Sequence, residues 1–116
     1  MYYVDTDSEF ALARVRQLND EARQYLTDGT IVFSHGIAAM PEEDQAELLE
    51  RVRNFEEFAP ESDPYDEHDL GAFEFEGLRV IWKIDYLDRE ERFGSSDPAD
   101  PSLTKRVLTI MLAGEY

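Results

Sequence analysis

The chain has 116 residues, 42% apolar and 12% aromatic, with 27 acidic side chains, 11 basic ones and no cysteine, for a formal charge of −16. That length predicts one domain over residues 1–116, and the apolar share is enough for a core, which argues against general disorder. Lack of cysteine excludes a disulfide framework, a thiol nucleophile and a thiolate zinc site, while the acidity disfavours direct binding to nucleic acid or an anionic membrane, which draws on Lys and Arg.

In chain order, residues 7–26 are predicted to be a helix. Thr6 and Glu9 have capping-box spacing, and Ala11, Val15, Leu18, Ala22 and Tyr25 recur at helical intervals with Leu26 beside them. Asp28-Gly29 ends that element with a turn, residues 30–34 read as a short strand, and Gly36 closes the strand. A second helix is predicted to start at Pro41, with Glu42, Glu43 and Asp44 at its positive pole. Its apolar stripe is Leu48, Leu49, Val52 and Phe55, and Arg51 and Arg53 suit its negative pole. Pro60 and Pro64 then break the chain into an irregular segment.

From Gly71 the pattern changes period. Residues 71–76 alternate apolar and charged, Gly77 marks a tight turn, and Leu78, Val80, Trp82, Ile84 and Tyr86 continue at period two. Arg79, Lys83 and Asp85 take the opposite face, where Arg79 and Lys83 are expected to pair with Glu74 and Glu76. A loop with two Asp-Pro steps follows. The last strand, residues 106–113, is apolar on both faces and should lie inside the sheet. The fold expected is α+β, two helices packed on one face of a small, mainly antiparallel sheet of about four strands.

The charge is uneven along the chain. Residues 54–78 hold nine acids and no base, against a net −6 before them and −1 after. Glu56, Glu57, Glu61, Asp63, Asp66, Glu67 and Asp69 fall in this block.

The runs DPYDEHDLGAFEFEG, VIWKIDYLDRE, GSSDPADPS and RVLTIMLAGEY, covering roughly residues 36–116, resemble a family of short bacterial proteins known only as a domain of unknown function. Leu87 stands where a second Tyr is common in that pattern, and Ser96 where Pro is common. The resemblance implies a shared fold and carries no activity or catalytic residue. Members tend to be encoded on mobile elements, a setting that implies a counter-defence role.

Several chemical motifs compete with plainer readings. Asp66, His68 and Asp69, with Asp63, offer oxygen and imidazole ligands for a divalent ion, as in a small metal-dependent enzyme or metal sensor. The run lacks the glycine and spacing of a calcium loop, and a solvated acidic turn accounts for it as well. Ser34 beside His35 makes no catalytic pair, since strand neighbours point to opposite faces. His35 then simply ends a strand, and His68 bonds a nearby carboxylate or backbone group. Carboxylate pairs are inevitable among 27 acids and do not argue for glycoside hydrolysis. Gly71, Gly77 and Gly94 read as turn residues, and Phe73, Phe75, Trp82 and Tyr86 as core.

The leading expectation is an acidic, non-enzymatic binding protein that needs no cofactor. It would act as a DNA mimic, placing carboxylates in a basic groove built for phosphates. Its contact residues would be Glu56, Glu57, Glu61, Asp63, Asp66, Glu67 and Asp69, with Glu42, Glu43 and Asp44 as a second patch. A CRISPR effector complex, whose duplex-facing channel is basic, is one such partner, which would make the protein an anti-CRISPR inhibitor. A start without a signal peptide and no apolar run of membrane-spanning length imply a cytoplasmic protein. The oligomeric state is left open, a homodimer through residues 107–113 or the helix stripes being one option.

Overall fold

The computed structural model describes residues 6–25 and 29–116, with side chains of the first helix from Glu9 on. The fold is α+β. Helices α1 (Thr6–Tyr25) and α3 (Glu42–Arg53) flank a one-turn α2 (His35–Ala38). Strands β1 (Gly29–Phe33), β2 (Leu70–Phe75), β3 (Leu78–Leu87) and β4 (Lys105–Leu112) form one sheet in the order β1-β4-β3-β2, and a 3-10 turn at Ala113–Glu115 follows. The two pairings of β3 are antiparallel, whereas β1 runs parallel to β4. The Thr6 capping side chain, Leu26 and the turn residue Asp28 lie outside the described residues.

The doubly apolar β4 is indeed interior, between β1 and β3. The β2–β3 hairpin turns on Glu76 and Gly77, both at positive φ (48° and 82°), as a tight two-residue hairpin turn requires. Gly77 meets that demand freely, whereas Glu76 adopts a backbone state that costs an L-residue roughly 1–2 kcal/mol.

Register defines the two faces of the sheet. Phe73, Val80 and Leu112 form one row on the inner face, Gly71, Trp82 and Ile110 the next, and Ile84, Leu108 and Ile31 a third. Leu48 and Val52 of α3, Ile37 of α2 and Phe55 just past α3 pack on these rows. Trp82, Ile37, Leu48, Val52, Val80 and Ile110 are fully buried. Each large side chain so placed contributes roughly 1.5–3 kcal/mol. The aromatic residues assigned to the core are there, with Tyr86 at its margin.

Three local expectations fail for identifiable reasons. Gly36 does not close a strand: Ser34 caps α2, accepting from the Ile37 amide at 3.4 Å, so His35 and Gly36 are helical. Serine at that position satisfies an orphan helix donor, which outweighs the strand propensity before it. Gly71 is no turn residue either. It lies within β2, where a Cβ would meet Trp82 Nε1 at 2.3 Å and the Phe55 ring at 2.7 Å. Across the hairpin Arg79 does pair with Glu74 at 3.2 Å, but Lys83 pairs with Asp85 of its own strand while Glu76 sits in the turn.

Gly71→Ala should therefore cost about 1–3 kcal/mol through overpacking, read from urea melts. Gly94→Ala, whose Cβ would find only the Tyr86 carbonyl at 3.9 Å, should leave the midpoint almost unmoved.

Candidate functional site

The most buried stripe of α1 shares Val15 with the expected apolar one and is otherwise polar. Val15, Asn19 and Arg23, four residues apart, are 5%, 0% and 2% exposed, whereas Tyr25 is 72% exposed. This stripe faces backbone carbonyls and the acidic segment rather than an apolar core. Arg23 donates to the carbonyls of Val52 at 2.8 Å, Arg53 at 2.9 Å and Phe55 at 3.0 Å. These are carbonyls at the end of α3 that have no partner within the helix. The guanidinium also meets the negative pole of the α3 dipole. Its second nitrogen bonds Asp20 at 3.1 Å, and its plane lies 5.4 Å from the Phe58 ring and 5.3 Å from the Trp82 ring.

Asn19 holds the next turn of the segment. Its amide donates to the Glu67 carbonyl at 3.0 Å and to the Tyr86 hydroxyl at 2.8 Å, while its carbonyl accepts from Arg106 Nε at 2.7 Å. The Tyr86 hydroxyl donates in turn to Glu67 Oε1 at 3.2 Å. Asp63, only 6% exposed, accepts from the backbone amides of Glu67 at 2.9 Å and His68 at 3.2 Å. Asp66 and His68 sit at positive φ, 56° and 59°, on either side of Glu67. Such a path is costly for non-glycine residues and persists because these bonds define it.

The His68 ring is fixed on three sides. Nδ1 lies 2.9 Å from Asp20, Nε2 lies 3.1 Å from Asp66, and Phe58 stacks on its face at 3.8 Å. The carboxylate partner expected for His68 is present, in duplicate. Asp66 in turn meets Arg16 at 3.0 Å. The result is a chain of polar contacts, Arg16–Asp66–His68–Asp20–Arg23, that ties the segment to α1.

Burial pushes the carboxyl groups of Glu67 and Asp69 above the usual range. Asp69 adds to the effect on Glu67, which the Tyr86 hydroxyl partly offsets, and Asp63 and Asp85 add to it on Asp69. The Tyr86 hydroxyl is pushed up as well, chiefly by burial.

The acids proposed as one contact surface thus divide. Asp63 is buried, Asp66 is paired, and Glu67 and Asp69 are half-buried. Glu56, Glu57, Glu61, Glu42 and Glu43 are exposed, with Asp44 half-exposed. Glu42, Glu43 and Asp44 open α3, and Glu56 follows its end, so about 14 Å of helix separates the two patches. Exposed Glu47 and Glu50 lie between them. Glu43, Glu47 and Glu50 recur at intervals of four and three residues, on one helix face. The sequence reading passed over Glu47 and Glu50, though that periodicity was available to find them.

For a metal, Asp63, Asp66 and His68 each bring one ligand atom within 4.8 Å of the others, while Asp69 is not part of this group. Both His68 nitrogens already face carboxylates, and both Asp63 oxygens lie within reach of the His68 amide. An ion there would displace the bonds that define the loop. Ser34 and His35 form no nucleophilic pair, since Ser34 Oγ donates to Glu115 at 2.5 Å and His35 begins α2.

Among family models, residues 33–115 match one described as "Protein of unknown function (DUF3768)". No curated protein and no solved structure matches the chain. No helix of the described residues is long and apolar enough to cross a membrane.

Arg23→Met should cost about 3 kcal/mol or more, because it takes the side-chain donor from the carbonyls of Arg53 and Phe55 and one of two close partners from Asp20, and Arg23→Lys should not restore a geometry that needs a planar fork. Denaturant melts measure both. Glu67→Gln should raise the melting temperature near pH 7. The folded state holds the Glu67 proton more tightly than the unfolded chain, so that stabilisation is complete below the ordinary carboxylate pKa and is lost as pH rises through the folded value. The advantage of the glutamine should accordingly vanish in acid, and a melting series against pH checks the sign.

Proposed function

The chain belongs to that DUF3768 family, and we propose that it is a non-catalytic inhibitor that occupies the basic nucleic-acid groove of a partner protein. The observation that carries this reading is the row Glu43, Glu47 and Glu50 on the exposed face of α3, continued by Glu56, Glu57 and Glu61. A helix spaces the first three about 6 and 4.5 Å apart along its axis, comparable with the one charge per 3.4 Å of axis that a single DNA strand presents. Among the described residues, the basic group paired with this row is Arg53, 3.9 Å from Glu50. The helix holds these carboxylates in fixed relative positions, so little ordering entropy opposes docking.

The inner acids play a different part in this reading. Asp63, Asp66, Glu67 and Asp69 shape the segment that follows α3 and so aim Glu56, Glu57 and Glu61. Their contribution to binding is positional. The partner to try first is a CRISPR effector complex, whose channel for the guide–target duplex is basic. A mobile-element origin of the family, as the sequence resemblance implies, suits a counter-defence role.

The test is displacement of labelled target DNA from such a complex by the protein. Glu43→Lys/Glu47→Lys/Glu50→Lys should weaken inhibition by about tenfold or more with an unchanged melting profile, and added salt should weaken the parent too. If the triple reversal inhibits as well as the parent, or the parent displaces no DNA at low salt, the mimic reading of this helix is wrong. For the metal alternative, titration calorimetry with Mg²⁺, Mn²⁺, Ca²⁺ and Zn²⁺ should give no saturable heat, and a saturable site lost in Asp66→Asn would favour it instead.

A further inference from the structure

The outer face of the sheet differs from the rest of the surface. Register places Val32, Leu70, Ala72, Ile81, Val107 and Met111 on it, opposite the rows that carry Trp82. A sheet face left in water alternates polar residues outward, yet along β4 the outward positions after Lys105 are Val107, Thr109 and Met111. Val32 is 41% exposed and Met111, near the centre, is 4% exposed, while the other four are half-buried. The helical side chains of the core all pack on the opposite face.

Its charge is the second observation. The face carries Arg79, Lys83 and Lys105 with Glu74 and Asp85. Arg79 pairs with Glu74 at 3.2 Å, Lys83 with Asp85, and Lys105 with Glu91 of the loop between β3 and β4 at 3.2 Å. Three bases thus meet three acids, on a chain whose net charge is −16. This neutral patch has no acid surplus to draw a basic protein and no free cations to hold a polynucleotide. Elsewhere two copies of so acidic a chain would press carboxylates together; here they would not.

We propose that this face is a self-association surface, on which a second copy of the chain packs sheet against sheet about a twofold axis. Two such faces meet about 10 Å apart with strands roughly aligned, and the helices remain on the outside. A twofold contact is self-complementary, which a patch with paired charges at its margin and apolar residues within can satisfy. From strand spacing and rise the footprint is about 19 by 20 Å, roughly half the area per partner of a standard interface. The dimer is therefore weak and concentration-dependent. The acidic α3 face stays free in it, so this inference does not depend on the proposed function.

Sedimentation equilibrium over a concentration series, at low and high NaCl, tests the proposal. The average mass should rise above the 13.4 kDa of one chain, and more so in high salt, because screening removes the repulsion between the two acidic bodies. That salt response is opposite in sign to the one expected for capture by a basic partner. Val32→Lys and Val107→Lys should each weaken association at least tenfold while keeping the parent's melting profile, and Glu56→Lys, away from the face, should not weaken it. If the Val107 variant loses its fold, the exposed Val32 position decides alone. A chain that stays monomeric at every concentration and salt, or a dimer indifferent to Val32→Lys, overturns the proposal.

Discussion

The structure depends on how the end of α3 is satisfied. A helix that stops at Arg53 leaves carbonyls facing the interior, and the segment that follows supplies one of them, Val52, with the Phe55 amide at 3.3 Å. Arg23, from another helix, donates with one nitrogen shared among three carbonyls. A buried guanidinium is expensive unless its donors are used and its charge is met. Here the α3 dipole, Asp20 and two aromatic faces meet it. The same contact fixes how α1 crosses α3, and so where Asn19 and Arg16 reach the acidic segment.

That geometry changes what the acid surplus means. The acidic run at residues 63–69 is largely internal wiring. Its carboxylates cap backbone amides, accept a hydrogen bond from Tyr86 or meet the His68 imidazole. Two of them are so poorly solvated that they hold their protons more tightly than usual. Glu42, Glu43 and Glu47 of α3, with Glu56, Glu57 and Glu61 just after it, are exposed instead. Density along the sequence and density on the surface are thus different quantities, and a partner meets only the second.

The sheet was legible because period-two alternation from Gly71 to Tyr86 needs no knowledge of the rest of the chain. The helix over residues 42–53 was legible from its apolar stripe and charged ends. The buried face of α1 was not, for a physical reason. Apolar residues were taken as the inward ones, but the helix packs beside exposed carbonyls, where Asn19 and Arg23 are the better fillers. Their partners are backbone groups, which every residue carries and no side-chain pattern reveals. Gly71 was misread in a similar way, since only the position of the Trp82 ring distinguishes it from a turn glycine.

The family match adds a division that runs through the site itself. It begins at residue 33, so β2, β3, β4, α3, Asp63, His68, Tyr86 and Arg106 lie inside it, while Arg16, Asn19, Asp20, Arg23 and all of β1 but Phe33 lie outside. The acidic segment is therefore held by two sets of partners. Tyr86 and Arg106 belong to the matched body and secure the Glu67 side through Asn19. The stripe of α1 secures the His68 side and caps α3. A change in α1 would act first on the direction of Glu56 and Glu57, which continue from the carbonyls that Arg23 holds. The exposed row on α3 is built into a single helix and would keep its spacing. On this geometry the periodic acids of α3 set how much charge a partner sees, and α1 sets the direction in which the remainder points.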